Sequence, residues 1–292
     1  MRRITYILIF GVLLTSCEDV VDVDLPTEES KLIFEGVLRY NNDIPRENRI
    51  RVSTTGSFFG TIEPETLGDA QLLNDTQGGL PGFYVQDPER PGDYIPGSDG
   101  MPIDDFLLIT GEFNPDDLLV LTFFYLDELY LAFASYVKAP EITSVTQGTE
   151  VLFDEDETEI IISFDDPEDE KNYYVISYGN GEFVALEDEF FNGQSYSFSY
   201  FSSQDLNTGD EIEINLWGVD EVFYNYYLKL IEQSEMGENT LFQTPVSTVR
   251  GNILKVEDID NIDLFNNVGR PQEFVLGYFA VVQEHTKTLI IQ

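Results

Sequence analysis

Residues 211–217, EIEINLW, alternate Ile212, Ile214 and Leu216 with Glu211, Glu213 and Asn215. A period of two fits a β-strand with one face in a core and the other in water, and fits no helix. Runs of β-branched and aromatic residues recur along the chain: KLIFEGVLRY at 31–40, RIRVST at 49–54, LLVLTFFY at 118–125 and LYLAFASYV at 129–137. EIIISF at 159–164, YYVISY at 173–178 and SYSFSY at 195–200 continue the series, with turn residues between them. The chain therefore reads as mainly all-β.

Two β-sandwich-like domains are expected, 31–138 and 139–292, with Pro140 in KAPEITSV marking the boundary. The order Pro140, IIISF, DDP, YYVISY resembles the opening strands of fibronectin type III and immunoglobulin-like domains, although the tryptophan usual in that first sheet is missing. One helix is expected, at 220–235, capped by Asp220 and carrying Phe223, Tyr227, Leu230 and Ile231 on one stripe. Residues 276–292 read as a closing hairpin that turns around His285 to Lys287. Between Gly60 and Pro102 stand eight glycines and six prolines. That density predicts a long surface loop rather than regular structure. Phe58, Phe59, Phe83, Tyr84 and Tyr94 lie within or beside it, and Phe83, Tyr84 and Tyr94 are the candidate aromatic anchors for a partner.

The amino terminus sets the address. Met1, Arg2 and Arg3 precede an apolar run from Ile4 to Leu14, too short to span a bilayer. Leu14-Thr15-Ser16-Cys17 resembles the lipobox of bacterial lipoproteins, which predicts a signal peptide over 1–16 and lipidation of Cys17. Residues 17–30, rich in acids and containing Pro26, read as a tether between lipid and fold. Cys17 is the only cysteine, so neither a disulfide framework nor a Cys-based zinc site is available.

A net charge of −40 repels phosphate backbones and argues against nucleic-acid binding. Aromatic residues at 13% set the chain apart from acidic disordered tails. No phosphate loop, GxGxxG, GxSxG or HExxH occurs, and His285 is the only histidine. Residues 154–170 are dense in acids and offer oxygen ligands for calcium. The strand between the two clusters separates them by about 20 Å at about 3.3 Å per residue, so they cannot share one ion. Asp165, Asp166, Glu168 and Asp169 are the candidate calcium set, and solvated turns are the plain alternative.

Several runs stand in an order that resembles outer-membrane lipoproteins of Bacteroidota, in the domain-of-unknown-function family four-two-four-nine. They are KLIFEGVL, DDPEDEKNYYVISY, EFFNGQSYSFSY, GDEIEINLWGVDEVFYNYYLKL, TLFQTPVSTVRGNIL and VLGYFAVV. The stretches around Thr244 to Ile253 and Leu276 to Phe279 are the most specific, and Asn239-Thr240-Leu241-Phe242 departs from the Asn-Pro-Phe more usual in the family. The resemblance implies a TonB-dependent outer-membrane receptor as partner, and makes Glu18 and Asp19 a surface-export signal. The expected role is an accessory or ligand-binding lipoprotein, not an enzyme, facing the cell exterior. The rivals are a surface hydrolase acting through carboxylates and a structural or assembly lipoprotein without ligand.

Overall fold

The structure, a computed structural model, describes residues 30–56, 62–78, 80–98, 101–102, 113–152, 157–168, 170–179, 181–202, 204–236, 249–261 and 265–292. Lys31–Gln292 form one compact unit.

The first half contains β1 (Leu32–Tyr40), β2 (Ile50–Thr54), β3 (Glu63–Pro64), β4 (Gly68–Asn74) and β5 (Gly82–Gln86). It continues with β6 (Asp93–Ser98), β7 (Met101–Pro102), β8 (Leu118–Tyr125) and β9 (Glu128–Ser135). The second half contains β10 (Ile142–Gln147), β11 (Thr158–Asp165), β12 (Tyr173–Ser177), β13 (Phe183–Glu187), β14 (Ser195–Ser202) and β15 (Glu211–Val219). Then come helix α1 (Glu221–Met236), β16 (Leu254–Lys255) and β17 (Leu276–Ile290). The fold is mainly β, as the alternating runs predict.

The Gly60–Pro102 segment corrects one expectation, because strands occupy much of it. Its glycines mark the turns: Gly78 and Gly92 adopt φ of 70° and 83°, a region that favours glycine. Pro96 lies inside β6, opposite Tyr84 of β5. On its other side β6 pairs with β2 only at Asp93 and Tyr94, so the missing N–H of Pro96 breaks no ladder there.

Strands β8 and β9 form a hairpin. Its two-residue turn places Leu126 and Asp127 at φ of 50° and 64°, the handedness that matches strand twist. The expected C-terminal hairpin is not there. Residues 276–290 run as one strand, and His285 sits within it opposite Leu216 instead of in a turn. Val281, Val282 and Glu284 before the polar His285 to Lys287 stretch that suggested a turn, and Leu289 after it, are all buried within the one strand.

Strand β17 organises the topology. Its first part, Leu276–Gln283, runs parallel to β1, and its second part, Glu284–Ile290, runs antiparallel to β15. Strands from both sides of residue 138 thereby join one path, β13-β12-β15-β17-β1-β2-β6-β5-β4-β8-β9-β16. A second sheet, β10-β11-β14, faces part of it. Ile160, Ile162 and Phe164 from that sheet enclose a core with Ile176, Ile214 and Leu216 from the large one. The first-half core is built on Phe34, Leu38, Val52, Leu72, Leu121 and Phe123, and β17 adds Phe279 and Val281 to it. Each such side chain, removed from water, contributes about 1.5–3 kcal/mol.

Asp220 caps α1 as the sequence predicts: the Phe223 N–H donates to its Oδ1 at 2.7 Å. Phe223 is buried, while Leu230, placed on the buried stripe by its spacing, is exposed at the helix's outer edge. The segment that carries Asn252 meets the start of β17. Asn252 accepts from the Phe279 N–H at 2.8 Å and donates to the carbonyls of Phe279 and Phe133, at 2.7 and 2.9 Å. Its side chain thus ties β17 to β9.

Candidate functional site

Strand β1 has two dissimilar faces. Leu32, Phe34 and Leu38 enter the first core, whereas Glu35, Val37 and Arg39 point the other way. The pairing register extends that second face sideways: Tyr278 of β17 lies beside Glu35, Glu35 beside Arg51 of β2, and Arg51 beside Asp93 of β6. Helix α1 stands against one end of this row. The Tyr278 ring lies 4.9 Å from that of Phe223 and 4.8 Å from that of Tyr226.

Between the helix and the strands opens a cleft of about 610 Å³. One wall is aromatic: Phe223, Tyr226, Tyr227 and Tyr278. The other carries Arg39, Arg49, Arg51 and Arg90, with Glu35 and Glu47 among them. The volume lies within the range of small-molecule sites, about 300–1,000 Å³.

Buried carboxylates set the arginines. Asp93 accepts from Arg49 Nη1 at 2.7 Å and from Arg51 Nε at 2.9 Å. Asp87 accepts from Arg90 Nε at 2.7 Å, and Arg49 and Arg90 both engage Glu47. The hydrogen bond to Asp93 raises Arg51 above the usual arginine range, so its charge is fixed. The Nε of Arg49 is buried without a hydrogen-bond partner among the described residues. On the aromatic wall, burial pushes the Tyr226 hydroxyl up to about 12 and raises Tyr227 and Tyr278 in the same direction. All three stay protonated near neutral pH and can donate hydrogen bonds.

The residues expected from sequence lie elsewhere. Phe83 is 44% exposed, but Tyr84 and Tyr94 are buried in the first core and present no ring to a partner. Strand alternation puts these two inside, and the Tyr94 hydroxyl receives the Leu67 N–H at 2.6 Å. In the acidic segment, Asp165 accepts from the Ser195 hydroxyl and Asp166 from Tyr174 and the Gly193 N–H. Asp166 is buried, so its oxygens serve the fold, and no group of three or more potential metal ligands occurs among the described residues. Asp169 lies outside the described residues, as do Cys17, Glu18, Asp19, Phe58 and Phe59.

Of the cleft, sequence reading reaches Phe223, Tyr227 and Leu230 on the helix, and misses Tyr226 beside them and the residues of the strands. One signal was there to be used. Beyond residue 3, five arginines (39, 46, 49, 51 and 90) crowd into the first third of the chain, and only Arg250 and Arg270 lie elsewhere.

Among solved structures, the chain is similar to a DUF4785 family protein from Legionella pneumophila subsp. pneumophila, at 13% sequence identity and a TM-score of 0.22. The match covers 66% of this chain and 54% of that one, so this chain spans about half that protein's length. No curated protein matches the sequence. The family described as Domain of unknown function (DUF4249) matches residues 18–288, nearly the whole chain, and the protein belongs to that family.

Proposed function

We propose that the protein is a binding protein, anchored to the outer membrane through a lipid on Cys17, that serves a TonB-dependent receptor by holding a small ligand in the cleft between α1 and strands β1 and β2. The single observation that carries the binding reading is the cleft itself. In a chain of net charge −40, four arginines converge on one concave surface and face a tyrosine wall. None of the four arginines belongs to a hydrophobic core, and Arg39 lies on the face of β1 opposite Phe34 and Leu38. Convergent polar groups beside aromatic rings are what a small-molecule site needs.

The lipobox-like Leu14-Thr15-Ser16-Cys17 supports the anchor, and Glu18 and Asp19 behind it support export to the cell exterior. Sharing one membrane with a receptor raises the effective concentration of both, so even a weak contact would be occupied. Of the proposed partner contacts, Phe83 is the one aromatic anchor that remains exposed.

The test is cross-linking in intact cells, detergent solubilisation, capture of the protein and mass spectrometry of what accompanies it. A TonB-dependent receptor is expected with the wild-type chain and should be lost with Cys17→Ser, which should also leave the membrane fraction. A wild-type capture free of any such receptor overturns the partner role. Retention of the Cys17→Ser chain in membranes after a high-salt wash overturns the lipid anchor.

A further inference from the structure

We propose that the cleft takes a ligand with a single carboxylate on a planar or hydrocarbon body, the carboxylate held by Arg51 with Arg39 and Arg90 around it, and the body laid against Tyr226. The inference rests on the cleft being the binding site.

The donor inventory comes first. A guanidinium has five N–H donors and no acceptor. Arg51 commits only Nε, to Asp93, and its two terminal nitrogens have no hydrogen-bond partner among the described residues. Arg39 commits Nη1, to Glu284 at 3.4 Å, and Arg90 commits Nε and Nη2, to Asp87 and Glu47. The cleft therefore holds free donors on three arginines, and the open fork of Arg51 is 57% exposed. A carboxylate meets such a fork with two parallel hydrogen bonds, the geometry in which arginine outperforms a point charge.

The placement of the protein's own carboxylates sharpens the selection. Asp87 and Asp93 are buried beneath the arginines and orient them from behind, leaving the solvent side open. Glu35, beside Arg51 in the register, makes no hydrogen bond among the described residues and faces the cleft. Glu47 stands at the rim. Counted together, Arg39, Arg49, Arg51 and Arg90 are balanced by Glu35, Glu47, Asp87 and Asp93, so no surplus of positive charge awaits a dianion or polyanion, whereas one negative charge is matched by the open Arg51 fork.

The opposite wall supplies the remainder. Tyr278, Tyr226 and Phe223 form a cluster of rings in mutual contact, preordered by the helix and by β17. Phe223 and Tyr278 are buried and hold the half-buried ring of Tyr226 from behind, so that this ring offers a stacking surface at little cost in conformational entropy.

The experiment uses the full chain in detergent, with phenylacetate, phenylacetamide and inorganic phosphate as probes, read by ligand-observed NMR and by the fluorescence of Trp217, whose ring lies 6.0 Å from that of Tyr227. Phenylacetate is expected to bind roughly tenfold or more tightly than its amide, the scale of a charge-assisted hydrogen bond. Phosphate should not compete. Arg51→Met should abolish the preference for acid over amide, Arg51→Lys should restore part of it, and Arg270→Met, far from the cleft in sequence and paired with Asp258, should leave it intact. Equal binding of acid and amide, both lost in Tyr226→Leu, would overturn the carboxylate inference while leaving the cleft as a binding site. So would phosphate competing as well as phenylacetate. Binding of neither organic probe, or binding unchanged in both Arg51→Met and Tyr226→Leu, would overturn the cleft reading itself.

Discussion

Trp217 donates its indole N–H to Glu284 at 2.9 Å, and Glu284, fully buried, is also engaged by Arg39 and Arg46. The carboxylate sits where β17 leaves β1 and begins to pair with β15. It therefore joins the strand that supplies Arg39 to the cleft with the strand that supplies Trp217 behind Tyr227. A buried charge of this kind is stable only while its partners remain.

Removing Glu284 should cost heavily. Glu284→Ala leaves Arg46 with Glu213 and takes away the only ion-pair partner of Arg39 among the described residues. Loss of one member of a buried pair is expected to destabilise by about 3–5 kcal/mol. Urea unfolding followed through Trp217 fluorescence measures it, and the folded-state emission should also shift because the indole loses its acceptor. A change below about 1 kcal/mol would show that the network is not held dry.

Gly277 tolerates no side chain. Its φ is 88°, and a Cβ there would stand 1.9 Å from the carbonyl oxygen of Phe34. Gly277→Ala should break the start of the β1–β17 pairing at a cost of about 4 kcal/mol or more, among the larger single-residue effects. Gly209→Ala is the comparison: its φ of 97° brings backbone strain, but nothing lies within 4 Å of the added carbon. A melting curve of Gly277→Ala no worse than that of Gly209→Ala would contradict the close approach.

Acid should loosen the arginine wall. Hydrogen bonding from Arg49, then from Arg90, lowers the Glu47 carboxyl below its ordinary value of 4.5. A depressed carboxylate contributes stability above the unfolded-state pKa and loses it as pH falls through the folded-state value. Wild type should thus melt above Glu47→Gln at pH 7, and the two should converge well below pH 4.5. Because Glu47 is half exposed, the gap at pH 7 should be small, and a gap that widens in acid would reverse the sign argued here.

Asp220 is expected to behave in the opposite sense. Burial raises its carboxyl above 3.8 despite the hydrogen bonds from Phe223 and Val222. A raised acid favours folding most below the unfolded-state pKa, and that contribution is lost as pH climbs through the folded-state value. Asp220→Asn keeps the cap without the buried charge, so it should match or exceed wild type at pH 7. Asp220→Ala should lose about 1 kcal/mol, the usual scale for an N-cap. Thermal melts of the three chains at one pH distinguish cap from charge.

Much of the secondary structure is legible in the residues themselves. The alternation in Glu211–Val219, the hairpin at Tyr125 and Glu128, and the Asp220 cap are all local signals, fixed by side-chain period and turn geometry. The misreadings come from signals that pairing overrides. Gly92 and Pro96 look like loop residues until β5 and β6 are paired around them, and His285 looks like a turn until β15 runs alongside. The cleft is the least legible part, because Arg39, Arg51, Arg90 and Tyr226 come from four separate segments and meet only through strand register and helix placement. Register is a long-range property that no single segment encodes.

Strand β17 also dictates when the protein can fold. The strand that flanks β1 follows all the other strands in sequence, and Arg39 meets Glu284 across 245 residues of chain. Neither half can complete its sheet until residues 276–290 are in place, and contacts of such sequence separation make folding slow. Until Leu276–Ile290 pair with β1 and β15, both halves keep an open sheet edge, and the arrival of this one strand closes both at once.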